Sequence, residues 1–334
     1  DAVRRAIGNR PDFEATIVPP GKPRTKPRAL NYALALARGE YVVIYDAEDR
    51  PHPLQLRAAF NRFEASGRDL ACVQAPLLAD NAQPNWLSSM FALEYVSLFD
   101  GFLPALAAWK LPIMLGGTSN HFKASVLRSM GAWDPHNVTE DADLGIRLNR
   151  FGYRADVIDH PTFEEAPSDF LVWLKQRTRW FKGWMQTTIV HMRAPARALR
   201  ELGPIRFAAY HLISTTLLVS ALGHPFFAAL VLYDLIHGAF LGPAAGFLHL
   251  MVLNLFFAYV AYGFLSYRAL SHRGWQARGW LILTIPAYWV LLALPAWRAL
   301  IQLITKPHLW EKTPHGTEAR GMVPWSRNPG AWQQ

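Results

Sequence analysis

Cysteine is almost missing from this chain: Cys72 is the only one among 334 residues. An intrachain disulfide is excluded, and a zinc site built on cysteines finds no ligands. Such usage fits a reducing compartment. A Walker A loop and a Ser-His-Asp arrangement are also missing, and His121, His191 and His224 stand alone, without metal-ligand spacing. Internal repeats and low-complexity tracts are lacking. The chain opens at Asp1 in mid-pattern, with neither an initiating Met nor a signal peptide. An N-terminal truncation is therefore the expectation.

Charge is scarce between residues 207 and 304, whereas residues 1 to about 200 are mixed in character. This division predicts a soluble domain over 1–200, membrane helices over 207–304 and a cytoplasmic tail over 305–334. The net charge is +9. Much of it lies in Arg177, Arg179, Lys182, Arg193, Arg197, Arg200 and Arg206, just before the first apolar segment. Basic residues there favour cytoplasmic retention and contact with anionic lipid headgroups. No nucleic-acid motif accompanies the charge, so a nucleic-acid partner is not expected.

Along the chain, Pro19-Pro20-Gly21-Lys22-Pro23 reads as a loop and Ala29–Arg38 as a helix closed by Gly39. Tyr41–Tyr45 has the length and β-branched content of a buried strand. Its carboxyl end, at Asp46, is where open α/β sheets bind ligands. Helices are expected over Leu54–Ser66, Ala124–Met130, Asp141–Phe151 and, capped by Ser168 or Asp169, on to about Met192, and strands over Leu70–Gln74 and Tyr153–Ile158. Gly116–Asn120 reads as a tight loop. Trp86–Trp109 is apolar but interrupted by Glu94 and Asp100, which points to buried or interfacial helices. Phe247–Tyr267 and Trp280–Ile304 have the length of spans, and Phe207–Leu241 is expected to turn at Gly223-His224-Pro225.

Three clusters carry chemistry. Asp46-Ala47-Glu48-Asp49 ends a strand, and alternate carboxylates on a turn can share Mg2+ or Mn2+ with phosphate oxygens. Taken alone, it also reads as a solvated acidic turn. Thr139-Glu140-Asp141 opens a helix. Asp141 is a candidate base, although Thr139 as N-cap and two acids favouring the helix dipole explain the triplet equally well in isolation. Gln176, Arg179 and Trp180 share one helix face, at i, i+3 and i+4. Arg offers a fork for phosphate and Trp a flat face for a sugar ring, while an interfacial Trp with snorkelling Arg is the plain alternative.

The ordered set resembles the membrane-bound, processive family 2 glycosyltransferases, which include cellulose, chitin and hyaluronan synthases. The residues concerned are Asp46-Ala47-Glu48, Thr139-Glu140-Asp141 and Gln176-Arg177-Thr178-Arg179-Trp180, with Lys26-Pro27-Arg28-Ala29-Leu30-Asn31 resembling the lysine segment beside the nucleotide. The resemblance covers roughly residues 15–195. It implies an α/β GT-A-like, Rossmann-like domain followed by transmembrane helices, in a multi-pass protein of a bacterial-type inner or plasma membrane with its catalytic domain in the cytoplasm.

It also implies an inverting transfer from a nucleotide-sugar donor to a growing polysaccharide, assisted by Mg2+ or Mn2+. A single-transfer enzyme making a glycolipid, or an inactive scaffold or glycan-sensing subunit, are the other outcomes. Asp46 and Glu48 would handle metal and diphosphate, with Lys26, Gln176 and Arg179 on the donor. Asp141 would be the base, beside Glu140. Trp180, Gly117, Thr118 and Asn120 would face a glycan or lipid acceptor. Membrane lipids and an accessory synthase subunit are the further partners implied. Glu48 departs from the usual second Asp, and the first strand with its base-binding acid would precede residue 1. Lys306–Thr313 is a candidate gate or surface anchor.

Overall fold

The computed structural model describes residues 2–81, 85–237, 245–307, 309 and 311. In chain order its elements are α1 (Ala2–Ile7), α2 (Lys26–Leu36), β1 (Tyr41–Ile44), β2 (Arg50–Pro51), α3 (Gln55–Glu64), β3 (Leu70–Gln74), β4 (Leu77–Ala79) and α4 (Trp86–Val96). A π-helical turn, Ser97–Phe102, joins α4 to α5 (Leu103–Ala108). Then come β5 (Asn120–Lys123), α6 (Ala124–Ser129), α7 (Glu140–Arg150), β6 (Arg154–Val157), β7 (Thr162–Glu164), α8 (Phe170–His191) and α9 (Pro195–Tyr210). The apolar part comprises α10 (Thr216–Ile236), α11 (Ala245–His272), a 3-10 stretch at Gln276–Thr284 and α12 (Ile285–Thr305).

One mixed sheet runs in the order β1-β5-β3-β6. β5 is antiparallel to both neighbours, and β3 is parallel to β6. All five residues of β3 are buried, as its unbroken apolar run requires of a central strand. β5 was not foreseen: the Gly116–Asn120 loop feeds straight into it. A smaller sheet, β2-β7-β4, sits beside the first and is built from strands of two or three residues, too short to show a period in sequence.

Two sequence expectations are corrected. Gly39 does not end α2: the helix starts three residues earlier than expected, with Pro27 in its first turn, and closes at Ala37 in an extended conformation. Nor do Gly223-His224-Pro225 form a turn, because α10 runs straight through them. Pro225 lacks an N–H and removes one helical bond. The Trp297 indole donates to the neighbouring Leu222 carbonyl at 3.0 Å, and the Tyr259 hydroxyl meets His224 Nε2 at 2.7 Å. Partners from α12 and α11 thus brace the interrupted turn. Gly131 and Gly152 do end α6 and α7 at φ +79° and +83°.

The expected boundary near residues 200–207 falls inside α9, whose kink lies at Gly203 (φ +74°) before Pro204. Four helical stretches are long and apolar enough to cross a membrane: Trp86–Ala108, Pro195–Asp234, Leu248–His272 and Gln276–Thr305. The first is the most enclosed by protein, with 61% of its apolar window buried against 17%, 17% and 33% in the others. The two acids that interrupt it are paired inside the fold, Asp100 with Arg273 at 2.5 Å and Glu94 with Arg177 at 2.5 Å. One core joins the sheet to α4, α5 and α8 and extends to Leu270 of α11 and Tyr288 of α12.

Candidate active site

β1 stops at Ile44, and the chain then turns through Asp46–Asp49. The turn is braced by Asp49, whose Oδ2 accepts from the Asp46 N–H at 2.7 Å and from the Thr118 hydroxyl. Asp49 is therefore occupied in shaping the turn, which leaves the Asp46 carboxylate 39% exposed and ion-paired with Lys26. Lys26 is the first residue of α2. Its ammonium also donates to the Gly117 carbonyl at 2.9 Å, so one cation ties the acidic turn to the 116–120 loop.

The loop in turn abuts the triplet. A Cβ on Gly117 would lie 3.3 Å from Asp141 Oδ2, so the carboxylate rests against bare backbone. Asp141 Oδ1 accepts from the Ala142 N–H at 2.8 Å. Burial is the main influence pushing the Asp141 carboxyl above its ordinary range. Glu140 is pushed up to about 7, first by burial and then by the Asp141 charge, with Lys26 and Arg179 pulling it back. Thr139 stands at the N-cap position, yet its side chain makes no capping bond. Its methyl and hydroxyl press instead on Gly183 of α8, where an added Cβ would lie 2.3 Å from Cγ2 and 2.4 Å from Oγ1. That contact docks the helix carrying Gln176, Arg179 and Trp180 directly on the triplet.

The predicted residues therefore converge from four elements: Lys26 on α2, Asp46 and Glu48 after β1, Glu140 and Asp141 on α7, and Gln176, Arg179 and Trp180 on α8. Gln176 Oε1 and Arg179 Nε are buried and without a hydrogen-bond partner. Trp180 is half-buried against Phe91 and Tyr95. Two predicted acceptor residues are placed differently. Asn120 is buried in β5, and its amide donates to Gly116 O at 2.5 Å and Thr118 O at 3.3 Å. Thr118 is buried, with its hydroxyl on Asp49. Both shape the loop from inside, while Gly117 is the loop residue that reaches Asp141.

The carboxylates of Asp46 and Glu48 suit Mg2+ or Mn2+, which take oxygen ligands. Among the described residues, no set of three or more His, Cys, Asp or Glu converges on one point. The donor set is thus of the kind that phosphate oxygens complete, in keeping with a metal held by one or two carboxylates plus substrate.

Glu164 was missed from the sequence. It accepts from the Tyr95 hydroxyl and faces the acidic turn; burial pushes its carboxyl up to about 8, with the charges of Asp49, Asp46 and Glu48 adding to the rise. Its strand is three residues long and its neighbour Glu165 is also acidic, so no pattern singles it out. Asp143, the next acid after the triplet, is structural. Burial raises its carboxyl, but His191 at 3.0 Å and Arg147 at 2.7 Å outweigh burial and hold it below its usual range. At the chain's other end, the Lys182 ammonium holds Lys306 O at 3.0 Å and Leu309 O at 2.5 Å, seating the start of the segment expected as a gate or surface anchor on α8. His308, Trp310, Lys312 and Thr313 of that segment lie outside the described residues.

The family model described as glycosyl transferase family group 2 matches residues 41–304, most of the chain. This chain belongs to that family. Its relatives include the probable glycosyltransferase YdaM of Bacillus subtilis (strain 168), 27% identical over 52% of this chain and 41% of the relative. A probable glycosyltransferase of Sulfolobus acidocaldarius is 28% identical over 47% of this chain and 34% of its own. Cellulose synthase 2 of Novacetimonas hansenii is 26% identical over 47% of this chain and 10% of its own. The chain thus spans about two fifths or less of these relatives' lengths. Among solved structures, the mannosyltransferase PcManGT of Pyrobaculum calidifontis, in complex with GDP-Man and Mn2+, is 23% identical with a TM-score of 0.49, over 90% of this chain and 73% of that one. Family membership accounts for the GT-A-like fold with its mixed sheet, and the long apolar helices follow it in the chain.

Proposed function

We propose that this chain is the catalytic part of an inverting glycosyltransferase that moves a sugar from a nucleotide-sugar donor to a growing glycan at a membrane. The observation that carries this reading is the convergence on Asp141. Gly117 lies against its carboxylate, Lys26 links Gly117 to Asp46, and Thr139 seats the triplet on Gly183 of α8.

Asp141 is the base. It accepts the proton of the acceptor hydroxyl as that oxygen attacks the anomeric carbon, and the bond from that carbon to the diphosphate breaks on the opposite side. A base with a raised pKa takes up the proton more readily than a free carboxylate, at the cost of being protonated in mild acid. Lys26 and Arg179 sit where charge builds on the departing diphosphate. Asp46 and Glu48 would hold a divalent ion, which supplies countercharge to the diphosphate when bound. Trp180 offers its half-buried ring to the acceptor sugar. Gln176 and Arg179 would hold the donor.

The apolar helices after the domain support a membrane setting, and the basic Arg193, Arg197, Arg200 and Arg206 ahead of them favour a cytoplasmic active side. The relatives' printed names include a cellulose synthase and a glucomannan 4-beta-mannosyltransferase, in keeping with polymer synthesis. The test is nucleotide diphosphate release by membranes containing the full-length protein. UDP-glucose, UDP-N-acetylglucosamine and GDP-mannose are supplied, with and without Mn2+, beside Asp141→Asn. Release with one donor, dependent on metal and on Asp141, is the expected result. A product of one added sugar overturns the polymer reading but not the transferase. No release from folded protein overturns both.

A further inference from the structure

Arg177, inside the Gln176–Trp180 segment, is one of the basic residues expected at the lipid surface, and the structure instead encloses it, as it does Lys182. Its side chain is among the most deeply buried in the protein, yet it is a guanidinium. Three contacts hold it. One nitrogen meets Glu94 Oε1 of α4 at 2.5 Å, and its carbon centre lies 4.8 Å from the Phe91 ring and 4.6 Å from the Trp180 ring. The second oxygen of Glu94 accepts from the Tyr288 hydroxyl of α12 at 2.9 Å, and Tyr288 also meets the Trp173 indole at 3.4 Å. Nε and the other terminal nitrogen of Arg177 carry no partner.

Stability alone gives no reason to keep such a group. Buried ion pairs are often matched or bettered by apolar side chains of similar volume, and here two donors go unmet besides. The arrangement does one thing an apolar side chain cannot do. It fixes the Trp180 ring against a planar cation that is itself tied to α4 and, through Glu94, to α12.

We propose that Arg177 is the positioning residue for Trp180, holding the indole in the single orientation that receives the acceptor sugar. The proposal rests on the reading of Trp180 as the acceptor platform. A desolvated cation–π contact corresponds to roughly a thirtyfold change in an equilibrium, which is the scale of acceptor binding at stake. Lysine keeps the charge beside Glu94 but loses the planar stack and the fork, so Arg177→Lys is the informative variant.

The experiment is a double-mutant cycle on the full-length protein in detergent, with Arg177→Lys, Trp180→Ala and the pair. It reads the KM for a soluble oligosaccharide of the sugar that wild type transfers, against the Kd for the nucleotide-sugar donor. Arg177→Lys is expected to raise the acceptor KM about tenfold to thirtyfold, to leave donor Kd within about twofold, and to add nothing once Trp180 is alanine. An equal effect of Arg177→Lys in both backgrounds overturns the proposal. Unchanged acceptor KM in Trp180→Ala instead overturns the platform reading, and this one with it.

A second readout needs no acceptor. With 5-fluorotryptophan incorporated, the 19F resonance lost in Trp180→Phe belongs to Trp180. Arg177→Lys should shift or broaden that resonance and leave that of the exposed Trp109 in place. Equal disturbance of both marks Arg177 as a general structural residue and overturns the assignment.

Discussion

Adding one methyl group at Gly183 should disable the enzyme while leaving it folded. The Gly183→Ala methyl would lie 2.3, 2.4 and 2.7 Å from Cγ2, Oγ1 and Cβ of Thr139. Carbon atoms pack at about 3.5–4.0 Å, so more than about 1 Å must be recovered. Rotating the Thr139 side chain moves Cγ2 and Oγ1 but not Cβ, and the backbone on one side or the other has to shift. Thr139 immediately precedes Glu140 and Asp141, so the displacement falls on the proposed base. A misplacement of about 1 Å can cost roughly a hundredfold in rate. The stability account is milder. Overpacking costs about 1–3 kcal/mol, and replacing glycine by alanine within a helix returns up to about 1 kcal/mol. The expected result is a kcat for nucleotide diphosphate release about a hundredfold down, with a thermal midpoint only a few degrees lower. Thr139→Ser in the same chain removes the methyl and should recover part of the rate. A Gly183→Ala protein with kcat within about twofold of wild type would refute the reasoning, because the contact would then have no bearing on Asp141.

Further expectations follow from the same geometry. Asp141→Asn should lower kcat by about 10²–10⁴-fold, with donor affinity by calorimetry changed little. Burial holds the Asp141 carboxyl above its ordinary range, so a pH–rate profile should show the rate falling in mild acid, at a higher pH than an exposed aspartate would give. For stability the sign is opposite. A raised carboxyl favours the fold when protonated, and that contribution is lost as pH rises from about 4.5 through about 7. Glu140→Gln should therefore melt higher than wild type at pH 8 and alike at pH 5. Asp46→Asn with Glu48→Gln should abolish the Mn2+-dependent component of nucleotide diphosphate binding measured by calorimetry, and an undiminished component would move the metal elsewhere.

The elements with strong local signals were legible. β3 is as its apolar run indicates, and of the two caps open for α8, Ser168 and Asp169, it is Asp169 that accepts from the Val172 N–H. The three motifs were legible because each is contiguous. What escaped depends on contacts between distant segments. Asp46, Glu48 and Asp49 look alike in sequence, and only the Thr118 hydroxyl and the Asp46 N–H separate the brace from its neighbours. Asn120 resembles a loop residue until β5 pairs it with Ile44 and Gln74 in the sheet. Pro225 is a sound helix breaker locally, and it fails here because Trp297, more than seventy residues on, supports the interrupted turn. Glu164 acquires its setting only when β7 lies beside β4.

The tie between Glu94, Arg177 and Tyr288 bears on how this protein can change over generations. A catalytic domain joined to its anchor by a tether can be traded like a cassette, each half selected on its own. Here α4, α8 and α12 share hydrogen bonds and one apolar core, so a chimera that imports foreign apolar helices would strand a buried cation at the join. Recombination should be tolerated only where both halves come from the same parent or where Glu94, Arg177 and Tyr288 travel together. Drift in the apolar helices is then constrained by the pairs they share with α4 and α8.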